Sequence, residues 1–386
     1  MTFEKVNLTD YFEIVGPGVK LFKGSKKYIA TGSMENGKIT GFDEVDYEGR
    51  PSRANMEALE NDIMFAKMKD TEKVFVVSKE TADNIYSTGF SILRIKDNKQ
   101  FHPKFIFYWL RSKEFQAMKN KECTGATQKA LNETKLKTFR VPKPPLETQC
   151  RIATLLGKVE GLKEKRTESN RLMKEFLRSI FFSKFKIYFN DPKYLKTCDE
   201  ICDNITVGIV FQPAKYYAKT GIPALRSLNV RENAVSLENL VYFSEEDNNT
   251  VLKNTRLRAK DIVIVRSGYP GTAAVIPDSL SGINCIDLLI ARPKNNVVLS
   301  DYLAFLLNMP ISRNQILQAQ HGMAQQHYNV GSLRKLKVAV PPLKEQTEFA
   351  HLIQVLSNLQ TDQQTSDTEI SSLFVTLMHN AFNNES

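Results

Sequence analysis

Two stretches of this chain repeat apolar residues at heptad spacing. Ile152, Leu155, Val159 and Leu162 recur in the first, followed after a gap by Met173, Phe176 and Ile180. The second carries Phe349, Leu352, Leu356 and Leu359, followed by Ile370, Leu373 and Leu377. This a/d spacing predicts a long amphipathic helix in each stretch. The gap is shared, because Arg166 and Ser169 stand in the first where Gln363 and Ser366 stand in the second. A helix of about 36 residues is about 54 Å long and needs a partner of equal length. Paired prolines precede both stretches, and proline suits a helix start because it fixes an extended approach. Elsewhere the pattern is of short apolar, β-branched runs at 74–77, 92–95, 262–265 and 288–290, which predict strands. Helical spacing returns at 104–118 and 302–317.

Sliding the chain along itself shows why the pattern occurs twice. Placing Gly125 on Gly322 sets Gln128 on Gln325, Asn132 on Asn329, Leu136 on Leu333 and Val141 on Val338 without a gap. The same register superposes Pro144-Pro145-Leu146 on Pro341-Pro342-Leu343, and Gln149 on Gln346. Roughly a third of this window is identical, which marks a tandem repeat. Upstream, Phe105, Tyr108 and Leu110 fall on Tyr302, Phe305 and Leu307, and residues 61–65 resemble 260–264 at a slightly shifted register. The chain therefore reads as two units, each a variable α/β part, a PPL-x-x-Q junction and a long helix. The boundaries expected are 1–142, 143–188, 189–339 and 340–386.

The two helices are expected to pair with one another. The first holds more Lys and Arg than Asp and Glu, whereas the second is acidic, and opposite charge favours pairing within the chain. The polar gap alone does not decide direction. A tandem duplicate arranged about a pseudo-twofold axis would pair them antiparallel. The alternative is two unrelated amphipathic helices, each packed on its own domain.

Composition narrows the chemistry. With 386 residues, 42% hydrophobic and 25% charged, the chain can build more than one core. Its 53 Lys and Arg against 43 Asp and Glu give a net charge of +10, which favours a polyanionic partner. No apolar run is long enough to span a bilayer, and the opening MTFEKVNLTDYFEIVG lacks a basic region followed by an apolar one, so a cytoplasmic protein without a membrane partner is expected. Five scattered cysteines give no disulfide framework. Cys198 and Cys202 lie close together, but no second pair at ligand spacing accompanies them, so no metal is expected.

At this point the residues carry a family resemblance. Two copies of a variable domain, a PPL-x-x-Q junction and a long heptad helix resemble the specificity subunit of a type I restriction-modification enzyme. The parts that carry it are 141–149 and 338–346 with their helices, and Gly-Ala-Thr-Gln-Lys at 125–129. In the second unit, DIVIVRSGYPG at 261–271 is similar to the family's strand and R-x-G-x-x-G turn, from which DIMFAKMK at 62–69 departs. The resemblance implies a mixed α+β fold: two target recognition domains related by the repeat, joined by two long helices in an antiparallel coiled coil. It implies a non-catalytic subunit that reads a bipartite site in double-stranded DNA, one domain to each half. The helices would act as spacer and as a docking surface for two methyltransferase subunits, with restriction subunits joining through the complex. No cofactor is expected in this chain; S-adenosylmethionine, ATP and Mg would belong to the partner subunits.

Candidate contacts follow from residue type and place. Lys26 and Lys27, in a cluster with Lys20 and Lys23, suit a phosphate track, or form a solvated face. Thr127, Gln128 and Lys129 with their counterparts Gln325 and Gln326, and His327 beside them, carry groups that read base edges. The same loop serves equally to fold each domain onto its helix. Arg266, Ser267 and Tyr269 lie with Gly268 and Gly271 in a loop that lets backbone approach a phosphate, or in an ordinary tight turn. Arg226 has a suitable group but no support from the repeat. The helix-pairing candidates are Ile152, Leu155, Val159, Leu162, Phe349, Leu352, Leu356 and Leu359. Enzyme readings fare worse: Glu133-Thr134-Lys135 is replaced by Val330-Gly331-Ser332 in the other unit, and no methyl-donor or ATP loop is present. A coiled-coil scaffold with no nucleic-acid role is the remaining alternative.

Overall fold

In the computed structural model, which describes residues 3–35, 37–125, 129–318 and 327–382 (the side chains of 360–365 excepted), each unit repeats one arrangement of sheets. The units comprise Met1–Thr167 with Gln363–Ser386, and Glu168–Asp362. In the first, an antiparallel four-stranded sheet runs in the order Phe12–Val15, Phe90–Ile95, Ile63–Ala66, Val74–Val76. Its counterpart in the second runs Cys202–Val207, Leu288–Pro293, Ile262–Val265, Ala273–Val275. A further four-stranded sheet in each unit contains one parallel pair, Lys26–Ile29 with Ile85–Ser87 and Ile222–Leu225 with Asn284–Cys285.

The central strand of each antiparallel sheet is apolar throughout because both faces are covered. Successive side chains alternate between faces. Ile63 and Phe65 join a core with Phe105, Trp109 and Phe115, while Met64 and Ala66 join another with Ile29, Met56 and Phe90. Ile262 and Ile264, and Val263 and Val265, divide in the same way in the second unit. A buried aspartate precedes each strand. Asp62 is gripped by Arg94 at 3.0 and 2.8 Å, and Asp261 by Arg292 at 2.7 and 2.7 Å. Each aspartate also accepts a backbone N–H, from Leu59 and Arg258 respectively.

The helical spacing at 104–118 and 302–317 resolves into two short helices in each unit, not one. Pro103–Leu110 is followed by Lys113–Glu122, where the Ser112 side chain accepts from the Phe115 N–H and starts a new helix. Ser300–Asn308 is followed by Pro310–Gln318, where Pro310 cannot continue the preceding turn.

Most residues shared by the two copies have structural tasks. Asn132 and Asn329 cap the short helices Glu133–Leu136 and Val330–Lys335 through Lys135 N–H and Ser332 N–H. Val141 and Val338 are buried in strands that pair antiparallel with Lys5–Asn7 and Leu195–Thr197. The junction glutamines are fully buried. Gln149 accepts from the His102 N–H and donates to the carbonyls of Gln100 and Pro144, all at 2.9 Å. Gln346 accepts from the Leu299 N–H at 2.8 Å and donates to the carbonyls of Val297 and Pro341 at 3.2 and 2.7 Å. One amide thus fastens the start of each long helix to the segment between an inner strand of the sheet, Phe90–Ile95 or Leu288–Pro293, and the helix that follows it.

The long helices span Leu146–Phe185 and Leu343–Phe382, 40 residues each. Within the first unit, Ile152 and Leu156 share a cluster with Leu377, Met378 and Phe382. Further along, the Lys163 ammonium lies 4.7 Å from the Phe374 ring, and Arg166 reaches Ser366 and Asp367 at 3.3 Å. In the second unit the Phe181 and Phe185 rings lie 5.2 and 5.5 Å from that of Phe349, Lys184 pairs with Glu348, and Leu177 packs with Leu352 and Ile353. One helix ascends in number as the other descends, so the pair is antiparallel in both units. The ion pairs join the basic helix to the acidic one.

The heptad phase read from the sequence needs correction. Val159 and Phe349 are buried, and Ile152, Leu352 and Leu356 are half-buried, but Leu155, Leu162 and Leu359 are 44%, 52% and 47% exposed. Phe176 and Leu373 are exposed as well. The buried stripe of the first helix runs instead through Gln149, Ala153, Leu156 and Val159. This helix is fixed by its own domain as much as by its partner: Glu160 takes hydrogen bonds from the Tyr108 hydroxyl and the Arg111 guanidinium, and Gln149 sets the rotation at the start. Leu156→Ala should accordingly cost about 2–5 kcal/mol, and Leu155→Ala under about 1 kcal/mol, in urea unfolding. Gln149→Leu and Gln346→Leu leave buried backbone groups unpaired and should each cost about 2–4 kcal/mol. Because the two glutamines lie in different units, their effects should add in the double variant.

Candidate nucleic-acid interface

The turn that follows the central strand differs between the units, although the backbone around it is held in one way. In the second unit Arg266, Ser267, Tyr269 and His327 come together. The Tyr328 N–H donates to the Arg266 carbonyl at 3.1 Å, and the Ser267 hydroxyl and His327 Nδ1 share a hydrogen bond. Gly268 and Gly271 both adopt positive φ, at 82° and 85°. Gly271 has a further reason to lack a side chain: a Cβ there would stand 2.6 Å from the Ile316 side chain. Tyr269 projects from this turn and is 81% exposed. Arg266 does not project. Its guanidinium is taken up by the Asp287 carboxylate and the Tyr328 carbonyl, so it braces the turn.

In the first unit the Leu131 N–H donates to the Lys67 carbonyl at 3.0 Å, and the Lys69 N–H to the Lys129 carbonyl at 2.9 Å. The turn therefore sets Lys67 and Lys69 beside Lys129, which is exposed. Lys67 and Lys69 were not singled out from the sequence; the only signal for them is their register with Arg266. Burial lowers the Lys67 ammonium from its ordinary range, and Glu133 opposes that shift. Beneath the turn lies Lys119, fully buried, whose ammonium donates to the Thr71 carbonyl at 2.6 Å and approaches that of Ala66 at 3.5 Å. Burial lowers this ammonium too, opposed by Cys123, Glu72 and Asp70. In the repeat register Lys119 corresponds to Ile316, the side chain packed on Gly271. Thr127, Gln128, Gln325 and Gln326 lie outside the described residues.

The comparisons agree with this duplicated geometry. The family model for the type I restriction modification DNA specificity domain matches twice, at residues 2–172 and 190–370. The chain belongs to that family. A putative type I restriction enzyme MjaX specificity subunit of Methanocaldococcus jannaschii is 23% identical over 92% of this chain and 87% of its own length. The type I restriction enzyme EcoKI specificity subunit of Escherichia coli is 20% identical over 92% of this chain and 82% of its own. Among solved structures, the type I restriction-modification S subunit from M. genitalium matches with a TM-score of 0.60 at 15% identity, over 100% of this chain and 97% of that one. A chain from a study of complex assembly and conformational transition of a type I R-M system matches at 0.57 and 19% identity, over 99% and 97%. These likenesses show a shared fold.

Other candidates of this specificity-family chain have contacts of their own. Lys26 and Lys27 lie on the other four-stranded sheet of the first unit. Lys26 pairs with Asp83 at 2.6 Å, and Lys27 lies 4.5 Å from the Phe42 ring. Arg226 donates to the Asn239 carbonyl at 2.6 Å, and its N–H to the Asn229 side chain at 3.0 Å, so it braces a loop built on the buried Asn229. Glu133 and Lys135 form exposed ion pairs with Lys137 and Glu122. Cys198 and Cys202 are both buried, and desolvation raises both thiols, Cys202 to about 12. Among the described residues no helix is long and apolar enough to cross a membrane.

The exposed and braced residues of the second turn should separate by experiment. Tyr269→Ala should leave thermal stability within about 0.5 kcal/mol while lowering affinity for the target duplex more than for an unrelated one. Arg266→Ala, which strands Asp287 and the Tyr328 carbonyl, should cost about 1–3 kcal/mol in the same melting experiment.

Proposed function

We infer that this chain is the sequence-recognition subunit of a type I restriction-modification complex and reads a bipartite target in double-stranded DNA. Residues 1–142 would read one half-site and 189–339 the other. The observation that carries this reading is the contrast between the two turns on one scaffold: Lys67, Lys69 and Lys129 in the first unit, Ser267, Tyr269 and His327 in the second. Ammonium groups hold phosphates as point charges, whereas hydroxyl, imidazole and phenol groups suit base edges and groove walls, so the two domains present different chemistry to DNA. The chain's charge of +10 supports an electrostatic share in that binding.

The chain itself acts without catalysis in this reading, as the subunit that brings chemistry to a site. Two methyltransferase subunits would dock on the long helices, where Leu155, Leu162, Phe176, Leu359 and Leu373 supply exposed apolar side chains. Restriction subunits would join through that complex, and S-adenosylmethionine, ATP and Mg would be held by these partners. The helices would also set the count of unread base pairs between half-sites.

The test is an exchange of domains. Replacing residues 1–142 with those of a relative should change one half of the methylated sequence and leave the other half intact. Replacing 189–339 should do the reverse. Mapping methylated adenines in cells that carry the chimaeras with a methyltransferase partner reads both outcomes. Exchanges that alter both halves together, or neither, would overturn the assignment.

A further inference from the structure

Beside the buried Asp261–Arg292 pair of the second unit is an open cavity of about 560 Å³. Lys253, Arg256, Arg258 and Arg292 contribute to its wall, together with Asn204 and Thr206. The last two stand two residues apart on one strand and so share a face. Arg292 is neutralised by Asp261. Among the described residues no carboxylate lies within ion-pair distance of Lys253, Arg256 or Arg258. Arg256 is oriented by a neutral group instead, donating to the Asn249 side-chain oxygen at 3.0 Å. Three like charges are thus gathered around one concavity without an ion pair among the described residues, while Asp261 and Asp203 act on the fourth, Arg292.

The first unit shows that the fold does not require this arrangement. Its Asp62–Arg94 pair occupies the same place, and the backbone bond from Leu59 to Asp62 matches that from Arg258 to Asp261. That register puts Glu57 opposite Arg256 and Leu59 opposite Arg258. The strand partner of Arg94 is Glu13, where the partner of Arg292 is Asn204. Glu57 accepts from the Lys20 N–H, and Glu13 approaches Arg94 at 3.7 Å. One copy therefore places carboxylates at this position, and the other lines it with cations.

We propose that this cavity binds a phosphate group. Guanidinium forks match phosphate oxygens in pairs, Lys253 adds a point charge, and Asn204 and Thr206 offer neutral donors for the remaining oxygens. The cavity lies at the Asp261 end of the strand Ile262–Val265, with the Arg266–Gly271 turn at the other end, so it is a site separate from that turn. The phosphate has two possible sources: the backbone of duplex DNA beside the half-site, or a free polyphosphate. The first rests on the recognition reading given above; the second does not.

The experiment uses the full chain and a variant carrying the first unit's residues, Arg256→Glu with Arg258→Leu. Arg258→Leu and Lys253→Gln serve as milder variants at exposed positions if the double change disturbs folding. With a DNA phosphate bound, the slope of log affinity against log salt should become shallower by about 1 to 2 in the double variant, and affinity for target and unrelated duplexes should fall together. With a free polyphosphate bound, pyrophosphate or ATP should raise the melting temperature of the unaltered chain and not of the variants, while the DNA slope stays the same. An unchanged slope together with no pyrophosphate or ATP effect on the unaltered chain overturns the proposal. If the unaltered chain shows no salt-dependent binding to duplex at all, the recognition reading fails, and the pyrophosphate and ATP arm still decides the cavity.

Discussion

The arrangement depends on satisfying buried backbone groups at the junction between domain and helix. A proline-rich approach supplies carbonyls but few N–H donors, and the segments at 100–102 and 297–299 bring more polar backbone into the same enclosed place. Gln149 and Gln346 answer both needs, since a carboxamide donates and accepts at once. A glutamate would lack the donor, and an asparagine the reach. The amide also fixes the rotation of a 40-residue helix at its first turn, and every contact further along that helix inherits the setting.

This is why the junction was the most legible part of the sequence. Residues whose task admits few substitutes, such as the capping Asn132 and Asn329 or the two glutamines, leave matching letters in both copies. The strands at 262–265 and 74–76 were readable for another reason, being buried on both faces and so apolar without interruption. Apart from the strands that hold Val141 and Val338 and the strand at 63–66, the remaining strands were not legible as a repeat, because a sheet tolerates many side chains where the backbone supplies the bonds. The helix seam was misread for a related cause. Periodicity places Leu155 and Leu162 on an apolar stripe, but the rotation of the stripe is decided by Glu160 with Tyr108 and Arg111, contacts that sequence spacing does not contain.

The candidate interface was legible in the second unit and almost hidden in the first. Glycines at positive φ mark the turn after Val265, whereas Lys67–Met68–Lys69 reads as an ordinary charged run. Only the shared backbone bonds, Leu131 to Lys67 and Tyr328 to Arg266, establish that the two occupy one place. The same bonds change the standing of Arg266. An arginine beside two glycines suggests a phosphate contact, but this guanidinium is anchored within the turn by Asp287 and the Tyr328 carbonyl. Its task is to hold Ser267 and Tyr269 in position.

Each turn is also matched to what lies under it. Lys119 supplies a buried ammonium that caps carbonyls of the first turn, where the Thr71 carbonyl and, more distantly, that of Ala66 offset part of the desolvation of its charge. Ile316 fills the corresponding space in the second and can do so only because Gly271 has no side chain to meet it. Turn and anchor therefore form one unit of exchange. The chemistry presented outward is free to vary between copies because an inward residue varies with it, while the aspartate, the capping asparagine and the junction glutamine stay the same in both.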